Sequence, residues 1–145
     1  MTSRNDIVME ARSWIGTPFH HMARMKGVGV DCVGLLIGVS RALALVSHNF
    51  DVPAYSQIPD GKTMLNTCDR YMRPIPRPNM KPGDVVVLIV DKEPQHVGIL
   101  GDYRHGGFSI IHAALMAAPP RVIETRLMWS RNQRFVAAYA LPGIT

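Results

Sequence analysis

The sequence predicts an α+β domain in which helices come first and an antiparallel sheet follows. Three observations predict it. Apolar residues recur at helical spacing near the N-terminus, and a second helical run over residues 32–46 is apolar nearly all round. From Asp84 onward the period turns extended, in short runs separated by turn residues. Helices followed by strands, rather than alternating with them, favour an antiparallel sheet. The 145 residues fit one domain, residues 1–145, with no internal repeat or low-complexity tract.

Ser3 and Asp6 form a capping-box pattern, and Ile7, Ala11, Trp14 and Ile15 follow at helical spacing. That helix should stop at Gly16, with Pro18 just beyond. Residues 17–31 form a loop rich in Gly and His that ends in Asp31. A buried central helix should then run over residues 32–46. The stretch 50–83 carries Pro53, Pro59, Pro74, Pro76, Pro78 and Pro82 and reads as irregular, with a short helix over 63–72. Residues 85–90, 95–101, 107–113, 121–126 and 135–141 read as strands.

The formal net charge of +5 favours anionic partners. The basic residues, such as Arg70, Arg73, Arg77, Lys81, Arg121, Arg126, Arg131 and Arg134, are scattered without aromatic interleaving, which argues against nucleic-acid recognition. The N-terminus has no apolar signal-peptide core, so synthesis in the cytoplasm without a signal peptide is expected. The longest apolar run, residues 33–45, holds Ser40 and Arg41 and is short of the roughly 20 residues of a membrane span.

Cys32 stands where a nucleophile gains most. Asp31 is a natural N-cap, which sets Cys32 on the first turn of a buried helix. There the macrodipole and free N–H groups favour a thiolate and can hold an oxyanion, so a lowered thiol pKa is expected. Gly34 leaves room for substrate beside the sulfur. Cys68, between Leu65 and Met72 at helical spacing, reads as a core residue. Of six histidines, His20, His21, His48 and His105 fall in or beside loops, while His96 and His112 fall inside strands. A hairpin loop of residues 102–106 makes Gly101 face Gly107 and, in the same register, sets His96 directly opposite His112, with Cβ atoms roughly 4.5–5.5 Å apart. Such a pair supplies a base and a group that orients it.

At these residues the sequence resembles the NlpC/P60 family of papain-like cysteine peptidases. The matching segments are Trp14-Ile15-Gly16-Thr17-Pro18-Phe19, Asp31-Cys32-Val33-Gly34-Leu35-Leu36, Lys81-Pro82-Gly83-Asp84-Val85, His96-Val97-Gly98-Ile99 and Ile111-His112-Ala113, in family order over roughly residues 8–141. The resemblance implies a papain-like fold with the cysteine helix packed on an antiparallel β-sheet. It implies Cys32 as nucleophile, His96 as general base and His112 as the third, orienting member. Asp31, Phe19, Val33 and Gly34 are implied at the substrate and oxyanion site, with no metal and no cofactor. Family members typically cleave between D-γ-glutamyl and meso-diaminopimelic acid in peptidoglycan stem peptides. Phe19 stands where many relatives have a Tyr hydroxyl, and Val33 where many have a Ser that reads the stem peptide's amino end.

The chain also looks like the short phage-encoded subset, the tail-tip peptidases of siphophages and gene transfer agents. That likeness implies a virion enzyme at the tail tip, beside other tail-tip proteins, opening the wall locally for DNA delivery. Three other readings remain: a structural or assembly part of the tail tip, another acyl transfer on the same scaffold, and a zinc site of Cys32, Cys68, His96 and His112. The last lacks the closely spaced ligand pairs of structural zinc sites.

Overall fold

The computed structural model describes residues 1–57, 60, 62–90 and 93–144. Helix α1 (Arg4–Arg12) begins with the expected capping box: the Ser3 side chain accepts from the Asp6 N–H, and the Asp6 carboxylate accepts from the Ser3 N–H. It ends earlier than expected, at Ser13, and a tight turn carries the chain to Gly16 at φ +93°. Helix α2 (Cys32–Ala42) buries an unbroken run from Gly34 to Ser40. It also stops short of residue 46, because Ala44 takes a left-handed conformation at φ 55°. Helix α3 (Thr63–Tyr71) falls where the short helix was expected. In the irregular stretch, Pro59 lies outside the described residues. No helix among the described residues is long and apolar enough to cross a membrane.

Three of the strands are absent from the sequence reading. Strands β1 (Arg24–Met25) and β2 (Gly29–Val30) make a small hairpin inside the Gly-rich loop. Strand β3 (Arg73–Ile75) contains Pro74 and forms the sheet edge, where a missing N–H is tolerated. The remaining strands are β4 (Val85–Val90), β5 (Glu93–Asp102), β6 (Phe108–Ala114), β7 (Arg121–Arg126) and β8 (Gln133–Ala140). All pair antiparallel, in the order β3-β8-β4-β5-β6-β7.

Both faces of the sheet are covered. Val85, Val87, Val97, Ile99, Ile111 and Val122 pack with α1 and α2, while Val86, Leu88, Leu100 and Ile110 form a second core with Leu127. That explains the continuous apolar run of β4, whose residues 85–88 are all 0% exposed. The turn before β4 ties the sheet to α1. Gly83 adopts φ +94° against the Arg4 backbone, and the buried Asp84 carboxylate pairs with the Arg4 guanidinium and accepts from the Lys81 N–H at 2.9 Å.

Helix α2 meets the segment after α1 at close range. A Cβ on Gly38 would lie 2.3 Å from Trp14 Cζ2, so only glycine lets the indole, 4% exposed, approach the helix this closely. Overpacking of this kind costs about 1–3 kcal/mol. Gly38→Ala is therefore expected to lower the unfolding free energy by about 2 kcal/mol in urea denaturation. A loss below about 0.5 kcal/mol would show that the Trp14 contact is not fixed.

Candidate active site

Cys32 occupies the first turn of α2, as the sequence predicts. Its neighbour Asp31 caps the helix, accepting from the Gly34 N–H at 2.7 Å. The thiol opens on a cavity of about 230 Å³. Phe19, Asp31, Val33, His96 and His112 line that cavity together with Cys32. Its far side is apolar, built by Leu36 and Ile37 of α2, Phe50 of the following loop, and Met64 and Tyr71 of α3. Cys68, buried in the core as expected, also borders it.

Gly34 does not border the cavity. Its missing Cβ faces the β1 loop, where an added carbon would lie 2.4 Å from the Ala23 carbonyl and 2.9 Å from Arg24 Nη1. Glycine here admits a neighbouring backbone rather than a substrate, which corrects the role expected from sequence.

The two histidines come together, but not in the expected register. The β5–β6 pairing runs Asp102↔Phe108, Gly101↔Ser109, Leu100↔Ile110 and Ile99↔Ile111, so the loop is residues 103–107 rather than 102–106. Continued one step, this register sets Gly98 opposite His112, and His96 lies diagonally beyond. A shift of two residues keeps both side chains on one face, whereas a shift of one would have parted them. The imidazoles bridge the diagonal, with His96 Nε2 to His112 Nδ1 at 2.5 Å and ring planes 80° apart. Gly98 makes this approach possible, since a Cβ there would lie 2.7 Å from Ile110 Cγ1 and 3.0 Å from His112 Cβ. The ladder ends at Ile99↔Ile111 although both strands run on. Where they part, residues of both orientations, His96 and Val97 on β5 and His112 and Ala113 on β6, border the one cavity.

The electrostatics differ from the sequence expectation. Burial pushes the Cys32 thiol up to about 12, and the Asp31 charge adds to the rise. The N–H groups of Val33 and Cys32 pull the other way without prevailing. Burial carries His96 down to about 3, with His112 adding to the fall, and His112 down to about 4. The resting site is thus a neutral thiol beside neutral imidazoles, and among the described residues no hydrogen bond links the thiol to either ring. With His96 Nε2 engaged by His112, Nδ1 is the nitrogen left to exchange a proton with the sulfur.

Three residues of this region carry no signal in the sequence reading. Arg24, from β1, donates from Nη1 to Asp31 Oδ1 at 2.9 Å and from Nη2 to the Tyr55 hydroxyl at 2.9 Å. Tyr55 donates that hydroxyl to Asp31 Oδ2. His21 Nε2 meets the Tyr55 carbonyl at 3.1 Å, and both His21 and Tyr55 line the cavity. His21 and Tyr55 lie in loops with no periodicity, Arg24 lies in a two-residue strand too short to show one, and their partners are distant in sequence or set by a bend.

Comparison with known proteins gives the fold. No protein-family profile matches the chain, and no curated protein matches it. Among solved structures, the NlpC/p60 domain of the peptidoglycan hydrolase SagA is similar with a TM-score of 0.60 and 22% identity, covering 97% of this chain and 100% of that one. A lipoprotein-like NLP/P60 protein from Staphylococcus aureus has a TM-score of 0.62 at 16% identity, covering 95% of this chain and 41% of that chain. An N-acetylmuramoyl-L-alanine amidase from Bacteroides uniformis has a TM-score of 0.57 at 9% identity, covering 96% of this chain and 98% of that one. The chain has the papain-like fold of these NlpC/P60 domains, helices packed on an antiparallel sheet.

Two expectations follow from the histidine pair. Both imidazoles stay neutral in the folded chain well below 6.5, so between about pH 6.5 and 4 the unfolded chain binds the extra protons. Stability should therefore fall as pH drops through that window, by up to about 1.4 kcal/mol per pH unit for each histidine. Urea denaturation at several pH values checks this, and a His96→Asn/His112→Asn variant should show the shallower slope. Separately, Gly98→Ala should push the rings apart, replacing the pair's linked titration by two independent ones in histidine NMR spectra.

Proposed function

We propose that this chain is a cysteine peptidase of the NlpC/P60 type that cleaves amide bonds in peptidoglycan stem peptides. The observation that carries the reading is one cavity holding Cys32, on the first turn of a capped helix, with a hydrogen-bonded His96–His112 pair in its wall. In this reading Cys32 Sγ attacks the amide carbonyl while its proton passes to His96 Nδ1, and His112 fixes the ring through Nε2. The N–H groups at the start of α2 stabilise the oxyanion. The tetrahedral intermediate then collapses, the C–N bond breaks and the leaving amine takes the proton from His96. Water, deprotonated by His96, attacks the thioester, and the departing sulfur takes that proton back as the acid is released. Asp31, Phe19 and Val33 shape the site around the reacting bond.

The bond proposed is that between D-γ-glutamyl and meso-diaminopimelic acid, following the family resemblance of the five sequence segments. The further likeness to the short phage-encoded subset supports a place at a phage-type tail tip, with other tail-tip proteins as partners and local wall opening as the task. Immunodetection of the chain on purified particles tests that placement, and its absence from them removes it without touching the enzyme reading.

Purified peptidoglycan incubated with wild type should release stem-peptide fragments whose new termini, read by mass spectrometry, name the bond. Cys32→Ala and His96→Ala should each lower release by more than about a thousandfold, and His112→Ala by about a hundredfold. Equal, blank digests from wild type and Cys32→Ala would instead favour a structural tail component. Release of intact stem peptides from the sugar would identify an amidase.

A further inference from the structure

We infer that Arg24 and Tyr55 are positioning residues for the Cys32 nucleophile, acting through the Asp31 carboxylate that both of them hold. The inference rests on the proposed role of Cys32. Asp31 is 2% exposed, and its charge lies one residue from the sulfur. Four groups meet that charge: the N–H of Gly34 at 2.7 Å, the N–H of Met22 at 2.8 Å, Arg24 Nη1 at 2.9 Å and the Tyr55 hydroxyl. Arg24 is the permanent cation among them, and its side chain is itself only 9% exposed.

The guanidinium is aimed rather than merely tethered. Nη1 also reaches the Ala23 carbonyl at 3.1 Å, Nη2 meets the Tyr55 hydroxyl at 2.9 Å, and Nε meets Asp51 Oδ1 at 3.3 Å. Burial and the adjoining carboxylate push the Tyr55 phenol up, which keeps it a neutral donor to Asp31. Tyr55 also lines the cavity that Cys32 borders.

The consequence for the sulfur is electrostatic. Asp31 opposes formation of the thiolate, after burial the largest influence raising the thiol. An opposite charge within a few ångströms of a carboxylate cancels much of its field. Removing Arg24 leaves an anion beside the nucleophile with only dipoles to answer it. The other titratable groups around the cavity are His96 on β5, His112 on β6, Cys68 and Tyr71 on α3, Asp60 just before α3, and His21 and Asp51 beyond Asp31. All of them stay in place in the variants below.

The test is the pH profile of Cys32 alkylation by iodoacetamide in the full chain, with the Cys32 peptide quantified by mass spectrometry and thermal unfolding followed in parallel. It needs no substrate, so it succeeds or fails apart from the peptidoglycan digest. Arg24→Gln is expected to slow alkylation at pH 8 about tenfold and to move the profile up by about one pH unit. Tyr55→Phe should slow it about threefold, since it removes a dipole and not a charge. Adding Asp31→Asn to Arg24→Gln removes the uncompensated anion, and it should restore the rate to that of Asp31→Asn alone. Should Arg24→Gln fail to fold, Arg24→Lys and the Arg24→Gln/Asp31→Asn double variant decide, and both are expected to keep the wild-type profile or a lower one. A folded Arg24→Gln with the wild-type profile would overturn the inference. So would a slowed rate that Asp31→Asn does not restore, which marks Arg24 as a structural staple only.

Discussion

The arrangement around Cys32 hangs on one buried carboxylate. Asp31 brings together three pieces of chain: the Met22–Arg24 turn, the start of α2, and the loop that carries Tyr55. A carboxylate at 2% exposure is tolerated only when its lone pairs are satisfied and its charge is answered. Here every convergent donor does both, so the loop, the helix end and the cavity wall are fixed relative to each other. The residue next to the sulfur thus places the sulfur, and it does so at an electrostatic cost to the thiolate that Arg24 must offset.

The histidine side of the site rests on a different constraint, the close approach of two strands that are about to separate. Gly98 lets β5 and β6 come near enough for the imidazoles to meet diagonally, and the ladder's end at Ile99↔Ile111 opens the space they share with Cys32. Glycine does comparable work at Gly38 beneath Trp14 and at Gly34 beneath the β1 loop. In each case the residue matters for what touches its α-carbon. None of the three has a positive φ, so close contact rather than turn geometry explains them.

Much of this was legible in the sequence wherever the signal is local. The capping box of α1, the Asp31 cap and strands β4 and β7 follow from patterns a few residues long, and they stand where those patterns put them. The hairpin register was less legible, because loop length is decided by residues 103–107 folding on themselves and leaves little trace in the strands. The error was an even number of residues, so the shared face survived and the contact with it. Strand β3 was hidden by Pro74, which marks a breaker in an interior strand but is admissible at an edge. Arg24 and Tyr55 could not be found by periodicity, since Tyr55 reaches Asp31 across 24 positions that include the whole of α2. The thiol's pKa went astray for the same reason. The helix end is a local feature and favours the thiolate, whereas burial is a tertiary one and prevails.

A neutral resting pair is compatible with a nucleophilic role, and it constrains how that role is performed. Burial disfavours the thiolate and the imidazolium separately, so neither ion is maintained before a substrate arrives. Moving one proton from sulfur to His96 Nδ1 creates both ions side by side, where each answers the other, and the total cost is below the sum of two isolated ionisations. For the proposed peptidase, transfer coupled to attack removes even that cost, because the sulfur's developing charge passes to the carbonyl oxygen as the bond forms. That oxygen then meets the free N–H groups at the start of α2, which Asp31 leaves available by capping only Gly34 within the first turn. His112 enters this sequence as an acceptor at Nδ1, holding the His96 proton on Nε2 and so keeping Nδ1 open for the sulfur's proton.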